Sequence, residues 1–171
     1  MNETMRPVVI RPEDGLTSGF GMVHKLMAEW YGGALAVLEG TIEPRQLIPP
    51  HTHRREDECS YVMSGELTFM VGDEVVSASA GCYVVKPRDI VHAFWNEGAV
   101  PARVMEIHTP GGFERHYDEI GQLDEAGLVG DERRAAVSEI QRRYGVEFRW
   151  EQVPALIEQY GLVPPGPTPR R

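Results

Sequence analysis

The chain has 171 residues, 42% of them hydrophobic and 25% charged, with a formal net charge of −9. That length suits one domain with an appendage and can bury a core without disulfide staples. The acidic balance argues against nucleic acid, whose phosphates demand clustered Lys and Arg.

The charge is uneven: residues 1–130 hold 10 basic and 20 acidic side chains, and residues 131–171 hold 7 and 6. No apolar run approaches the roughly 20 residues of a bilayer-spanning helix. The opening MNETMRPVVIRPEDG contains no hydrophobic leader core, so no membrane partner is expected and the expected location is cytoplasmic. Cys59 and Cys82 make no disulfide framework, which fits a reducing compartment, and both lie in apolar runs as expected buried hydrophobes.

From residue 6 to about 110, short β-rich runs alternate with Gly, Pro and acidic turn residues, the rhythm of an all-β sandwich or barrel. The predicted strands begin with residues 6–11, 20–28, 34–42 and 45–50. They continue with 59–63, 66–71, 74–78, 82–86, 92–96 and 102–108. Ser64-Gly65 and Gly72-Asp73 mark tight hairpins, and Gly81 and Pro87 bracket a further strand. After Pro110-Gly111-Gly112 the period changes. A short helix is predicted over 113–120, closed by Gly121. The clearest helix is 131–144, with Asp131 as N-cap and Gly145 past its end. Its apolar residues Ala136, Val137, Ile140 and Tyr144 share one face. A third helix is expected from Pro154 to Gly161, before a proline-rich tail from Val163. The expected domains are a β-barrel over 1–112 and a helical extension over 113–171, packed on the barrel as a flap.

The chemistry lies in Pro50-His51-Thr52-His53-Arg54-Arg55-Glu56-Asp57-Glu58. Alternation along a strand projects His51 and His53 from one face, where two imidazoles can close on one ion. Glu58 opens the next strand and can return opposite the pair through a hairpin. His92 starts another strand 34 residues on. Three neutral nitrogens and one carboxylate suit a single divalent Fe, Mn, Ni, Co or Zn ion.

The full spacing is His51-x-His53-x4-Glu58-x6-Gly65, then Gly81-x5-Pro87-x-Asp89-x2-His92-x3-Asn96. These two blocks resemble the paired motifs of the cupin superfamily, a double-stranded β-barrel of jelly-roll type. The resemblance implies that His51, His53, Glu58 and His92 are the metal ligands. It departs at Arg45 and Asp89, two turn positions where the family commonly has Gly. Residues 55–58 and 111–114 further resemble single-domain quercetin-dioxygenase-like cupins. That likeness implies a metal-dependent dioxygenase acting on a small organic molecule, with Glu58 as a catalytic base in some members. A non-redox isomerase, lyase or cyclase, and a non-catalytic small-molecule-binding barrel, are the alternatives. Cupins commonly pair through their barrels, so a homodimer is also implied.

If Glu58 points inward, alternation turns Ser60 and Val62 inward too, and His92 brings Phe94, making these three the expected substrate-binding residues. On the last strand Val104, Glu106 and His108 share a face. An apolar-inward choice leaves Glu106 and His108 on the surface; inward, they would form an acid–base pair. His24 and His116 have no partner pattern and are expected to be solvated.

Overall fold

Antiparallel pairing organises the chain from residue 16 onward. The computed structural model describes residues 9–163. Among them the strands are β1 (Leu16–Thr17), β2 (Val23–Leu26), β3 (Ala36–Ile42), β4 (Leu47–His53), β5 (Asp57–Ser64) and β6 (Glu66–Val71). These are followed by β7 (Glu74–Ser79), β8 (Tyr83–Lys86), β9 (His92–Trp95), β10 (Ala102–Thr109) and β11 (Val146–Phe148). The helices are α1 (Glu114–Glu125), α2 (Gly130–Tyr144) and α3 (Val153–Tyr160). One sheet runs β1-β2-β3-β10-β5-β8 and the other β11-β4-β9-β6-β7.

The two sheets share an apolar interior. Ile42, Val62, Ala102 and Val104 from the first meet Leu67, Phe69, Ala78 and Phe94 from the second. Each comes from an alternating strand whose other face looks outward, as β10 shows with buried Ala102, Val104, Glu106 and His108. The expected barrel is thus a pair of facing sheets that are not closed into one cylinder. A second cluster lies outside: Leu47, Ala93 and Trp95 pack against Val153, Leu156 and Leu162, so α3 covers the outer face of the five-stranded sheet.

Arg45 and Asp89 sit at φ +65° and +66°, the left-handed backbone that glycine adopts without strain. Hydrogen bonds hold both: the Arg45 N–H donates to the Asn96 carbonyl at 2.8 Å, and the Asp89 N–H to the His53 carbonyl at 2.8 Å. Both turns therefore adopt a glycine-like conformation without glycine.

Several expected elements need correction. Residues 9–11 form no strand, and residues 6–8 of that expectation lie outside the described residues. Their neighbourhood instead folds over Lys25, whose Nζ donates to the carbonyls of Arg11 at 3.1 Å, Pro12 at 2.8 Å and Asp14 at 2.5 Å. The strand expected over 20–28 contracts to β2, because Gly19–Gly21 and Ala28–Tyr31 form short 3₁₀ turns. Asp131 lies in the first turn of α2 rather than at its cap, which is Val129. Cys82 is exposed and Cys59 half-buried. Of the proline-rich tail only Val163 is described; it makes a single parallel bridge with Gln46, and residues 164–171 lie outside the described residues.

Two differences bear on the site. The segment after residue 112 is not purely helical, since β11 joins the free edge of β4 with Val146 opposite His53 and Phe148 opposite His51. Gly121 does not end α1 but lies within it, because the helix crosses the Gly19–Gly21 turn at close range. A Cβ on Gly121 would lie 3.2 Å from the Gly19 nitrogen, and one on Gly19 would lie 2.6 Å from the Tyr117 carbonyl oxygen. The crossing therefore requires small residues on both sides. Gly19→Ala should force this backbone contact apart and destabilise the fold by about 1–3 kcal/mol. Thermal unfolding should show a Tm lowered by several degrees; an unchanged Tm would contradict the close crossing.

Candidate metal centre

Three strands deliver the predicted ligands to one point. His51 and His53 alternate inward on β4, and His92 lies opposite His51 on β9. Glu58 enters from the other sheet on β5. One ligand atom from each of the four lies within 4.8 Å of every other. All four side chains are buried, from 0% exposed for His92 to 7% for His51.

Each imidazole is oriented by its outer nitrogen. His51 Nδ1–H donates to the Pro49 carbonyl at 2.7 Å, and His92 Nδ1–H to the Ile90 carbonyl at 3.0 Å. Glu56 Oε2 lies 3.5 Å from His53 Nδ1. Protonating Nδ1 in this way leaves Nε2 of His51 and His92 unprotonated and able to ligate. At the centre, Glu58 Oε2 lies 3.0 Å from His92 Nε2 and 3.6 Å from His53 Nε2. Neither of these nitrogens nor Glu58 Oε2 has a hydrogen-bond partner. Converging buried nitrogen and oxygen atoms without partners are the donor set that a divalent transition metal satisfies, so the residues fit the ion the sequence motif implies.

Electrostatics prepare the same ligation state. Burial, reinforced by the neighbouring imidazoles His92 and His53, holds His51 well below the ordinary histidine range. Burial likewise lowers His53 against the opposing pull of Glu56 and Glu58. Burial works to raise Glu58, but the Lys86 ammonium and the imidazoles of His108 and His92 overcome it and hold the carboxyl well below its usual range. Neutral imidazoles and an ionised carboxylate are the forms that bind metal.

The interior continues past the ligands. Lys86 is fully buried, with Nζ 3.2 Å from Glu58 Oε1 and 2.8 Å from Glu106 Oε2. Ser60 Oγ donates to Glu106 at 2.9 Å, and His108 Nε2 lies 3.3 Å from Glu58 Oε1. Burial pushes Glu106 up to about 7 despite the Lys86 ammonium, with the Glu58 charge adding to the rise.

Of the two alternatives for Glu106 and His108 the inward one holds: both are buried, at 2% and 0% exposed. Register explains it, because β10 sets Glu106 opposite Ser60 and His108 opposite Glu58, sharing the inward face of β5. His24 and His116 are also buried rather than solvated, each 3% exposed. His24 Nε2 approaches Asp118 Oδ1 at 3.0 Å, and His116 stacks on Phe113 with ring centroids 4.8 Å apart. Lys86 was missed outright. Only the β5–β8 register, which puts Val84 and Lys86 opposite Ser60 and Glu58, reveals it.

Of the expected substrate-lining residues, Ser60 and Val62 are fully buried on the inner face of β5. Phe94 stacks on Phe69 at 5.3 Å with the Lys86 ammonium 4.9 Å from its ring centroid. Two aromatic rings from the segment after residue 112 close over the imidazoles. Phe113 meets His53 edge-on at 4.2 Å, and Phe148 stacks on His51 at 5.2 Å.

Comparison with known proteins agrees with this arrangement. Residues 38–108 match the family described as Cupin_2, a cupin domain, and that span contains all four candidate ligands. Nectarin-1 of Nicotiana langsdorffii × Nicotiana sanderae is 37% identical over 70 residues, covering 36% of this chain and 29% of Nectarin-1. Nectarin-1 of Nicotiana plumbaginifolia is 39% identical over 67 residues, covering 36% and 29%. The chain thus spans less than a third of the length of these curated relatives. A structure described as a predicted oxalate decarboxylase from Thermotoga maritima superposes with a TM-score of 0.54. It is 20% identical and covers 60% of this chain and 99% of that one. Its likeness shows the fold, and residues 38–108, under half of the chain, are similar to a cupin domain. Among the described residues no helix is long and apolar enough to cross a membrane.

One group outside the ligand set gives a pH signature. Burial, with the nearby His53, pushes His116 down from its ordinary 6.5 to about 4. Between these values the unfolded chain holds a proton on His116 that the folded chain does not, so stability is lost as pH falls through this window. The shift corresponds to about 3 kcal/mol. Denaturant unfolding in the presence of a chelator should show stability falling from pH 6.5 towards pH 4, with a shallower slope in His116→Gln. Equal slopes would contradict the buried neutral imidazole.

Proposed function

We propose that this protein is a metal-dependent enzyme acting on a small organic molecule, and that its reaction is a dioxygenation of quercetinase type. The observation that carries the reading is the buried set of His51, His53, Glu58 and His92, whose ligand atoms lie within 4.8 Å of one another. His51, His53, Glu58 and His92 would hold the ion through four side chains and leave it able to take substrate oxygens or dioxygen. When bound, the ion would supply Lewis acidity and a site for oxygen activation.

The chain's own residues supply the rest. Ser60 presents a hydroxyl that donates to Glu106, while Val62 and Phe94 belong to the packed apolar interior between the sheets. Phe113 and Phe148 exclude water from the imidazoles, which strengthens every charge interaction inside. A groove of about 430 Å³, lined in part by Gln141, Arg142, Phe148 and Trp150, lies against the ring that stacks on His51. Glu58 is the ligand that could also take a substrate proton. With Lys86 and His108 at its Oε1, the ligand role is the better supported of the two.

A second reading is favoured by one specific arrangement, the buried Lys86–Glu106 ion pair at 2.8 Å with Ser60 donating to the same carboxylate. Groups able to hold or pass a proton beside the ion suit an isomerase, lyase or cyclase that consumes no oxygen.

Metal analysis of the purified protein, with oxygen uptake measured against flavonols, catechols and β-diketones, tests both. We expect about one ion per chain and substrate-dependent oxygen consumption, each lost in a His51→Ala, His92→Ala double variant. Stoichiometric metal with no oxygen uptake across the panel would overturn the dioxygenase in favour of the non-redox reading. Metal content that is negligible in the wild type, even after Co²⁺ is supplied, would overturn both.

A further inference from the structure

We infer that Lys86 is a positioning residue for Glu58, engaging one carboxylate oxygen so that Glu58 offers only the other to the metal. The inference rests on the metal reading above and concerns how the ligand is presented. Lys86 stands directly opposite Glu58 in the β5–β8 ladder and is fully buried, so its ammonium can reach few partners. It takes two, Glu58 Oε1 at 3.2 Å and Glu106 Oε2 at 2.8 Å.

The two oxygens of Glu58 consequently have different surroundings. Oε1 faces Lys86 and His108, the latter at 3.3 Å. Oε2 faces His92 at 3.0 Å and His53 at 3.6 Å and has no hydrogen-bond partner. Bidentate ligation would turn Oε1 away from the ammonium and leave a buried cation half-paired, an arrangement proteins avoid. Lys86 is in turn fixed by Glu106, which accepts from Ser60 at 2.9 Å. A relay of Ser60, Glu106 and Lys86 across β5, β10 and β8 therefore sets the coordination mode of Glu58.

The test compares two variants of equal charge. Lys86→Met with Glu106→Gln removes the ion pair and the donor to Oε1. Lys86→Gln with Glu106→Gln removes the ion pair but retains an amide donor. Co²⁺ titration followed by visible absorption reads affinity and ligand geometry without any assay of turnover, and circular dichroism checks folding. We expect the Met variant to bind Co²⁺ about 10- to 100-fold more weakly than wild type, with an altered absorption spectrum. The Gln variant should keep the wild-type spectrum and most of the affinity. In a Glu58→Gln background, the same Met change should cost less than about twofold, because the group it positions is gone.

Wild-type affinity and spectrum in a folded Met variant would overturn the inference while leaving the metal reading intact. So would an undiminished loss in the Glu58→Gln background, which marks a merely structural role. A wild-type protein that takes up no Co²⁺ would overturn the metal reading itself, and this inference with it.

Discussion

A carboxylate taken out of water between two sheets must meet opposite charge or hydrogen-bond donors, or it destabilises the fold that holds it. Glu58 is that carboxylate, and the arrangement of the interior follows from its needs. Lys86 supplies the opposite charge, Glu106 balances Lys86, and Ser60 satisfies Glu106. The imidazoles of His92 and His53 crowd its second oxygen from the facing sheet. The alternation that places these groups is the same one that places Val62 and Val104, so one face of β5 and β10 changes from polar to apolar along its length.

That gradient divides the molecule functionally. Towards Ala102 and Leu67 the interior is dry and holds the sheets together. Towards His108 and Glu58 it is charged, and the ordering of each imidazole is delegated to a backbone carbonyl or to Glu56. Covering this charged end falls to the segment beyond residue 112, through Phe113 at the start of α1 and Phe148 on β11. The helical extension is thereby part of the site's wall as well as its neighbour.

His51, His53 and Glu58 were legible as candidates from local geometry, two residues apart on a strand and a turn's length to the next, whereas His92, 34 residues on, joined them through the resemblance of the second block to the family motif. The left-handed turns at Arg45 and Asp89 were legible as positions, though the residues there gave no such signal. What sequence reasoning missed was set by tertiary pairing. Polarity alone left the face of Glu106 and His108 open, whereas register with Ser60 and Glu58 fixes it inward. Lys86 has no meaning until β8 lies beside β5. Val146–Phe148 is too short to show alternation, and it becomes a strand because β4 offers unpaired backbone groups there. His24 and His116 look solvent-compatible in isolation and are buried by packing contributed from α1.

The short strand β11 has one more effect, on how the molecule behaves among its own copies. Without it β4, seven residues long, would form the rim of the five-stranded sheet and offer its free N–H and C=O groups to any neighbouring chain. With it the His51–His53 part of that rim is covered by three residues that follow the left-handed Gly145 and carry Glu147, whose carboxylate is clamped by Arg54 at 2.9 Å. A brief, charged rim is a poor template for strand addition. The segment that closes the metal centre thus also guards the sheet against aggregation at the strand that bears two of its histidines.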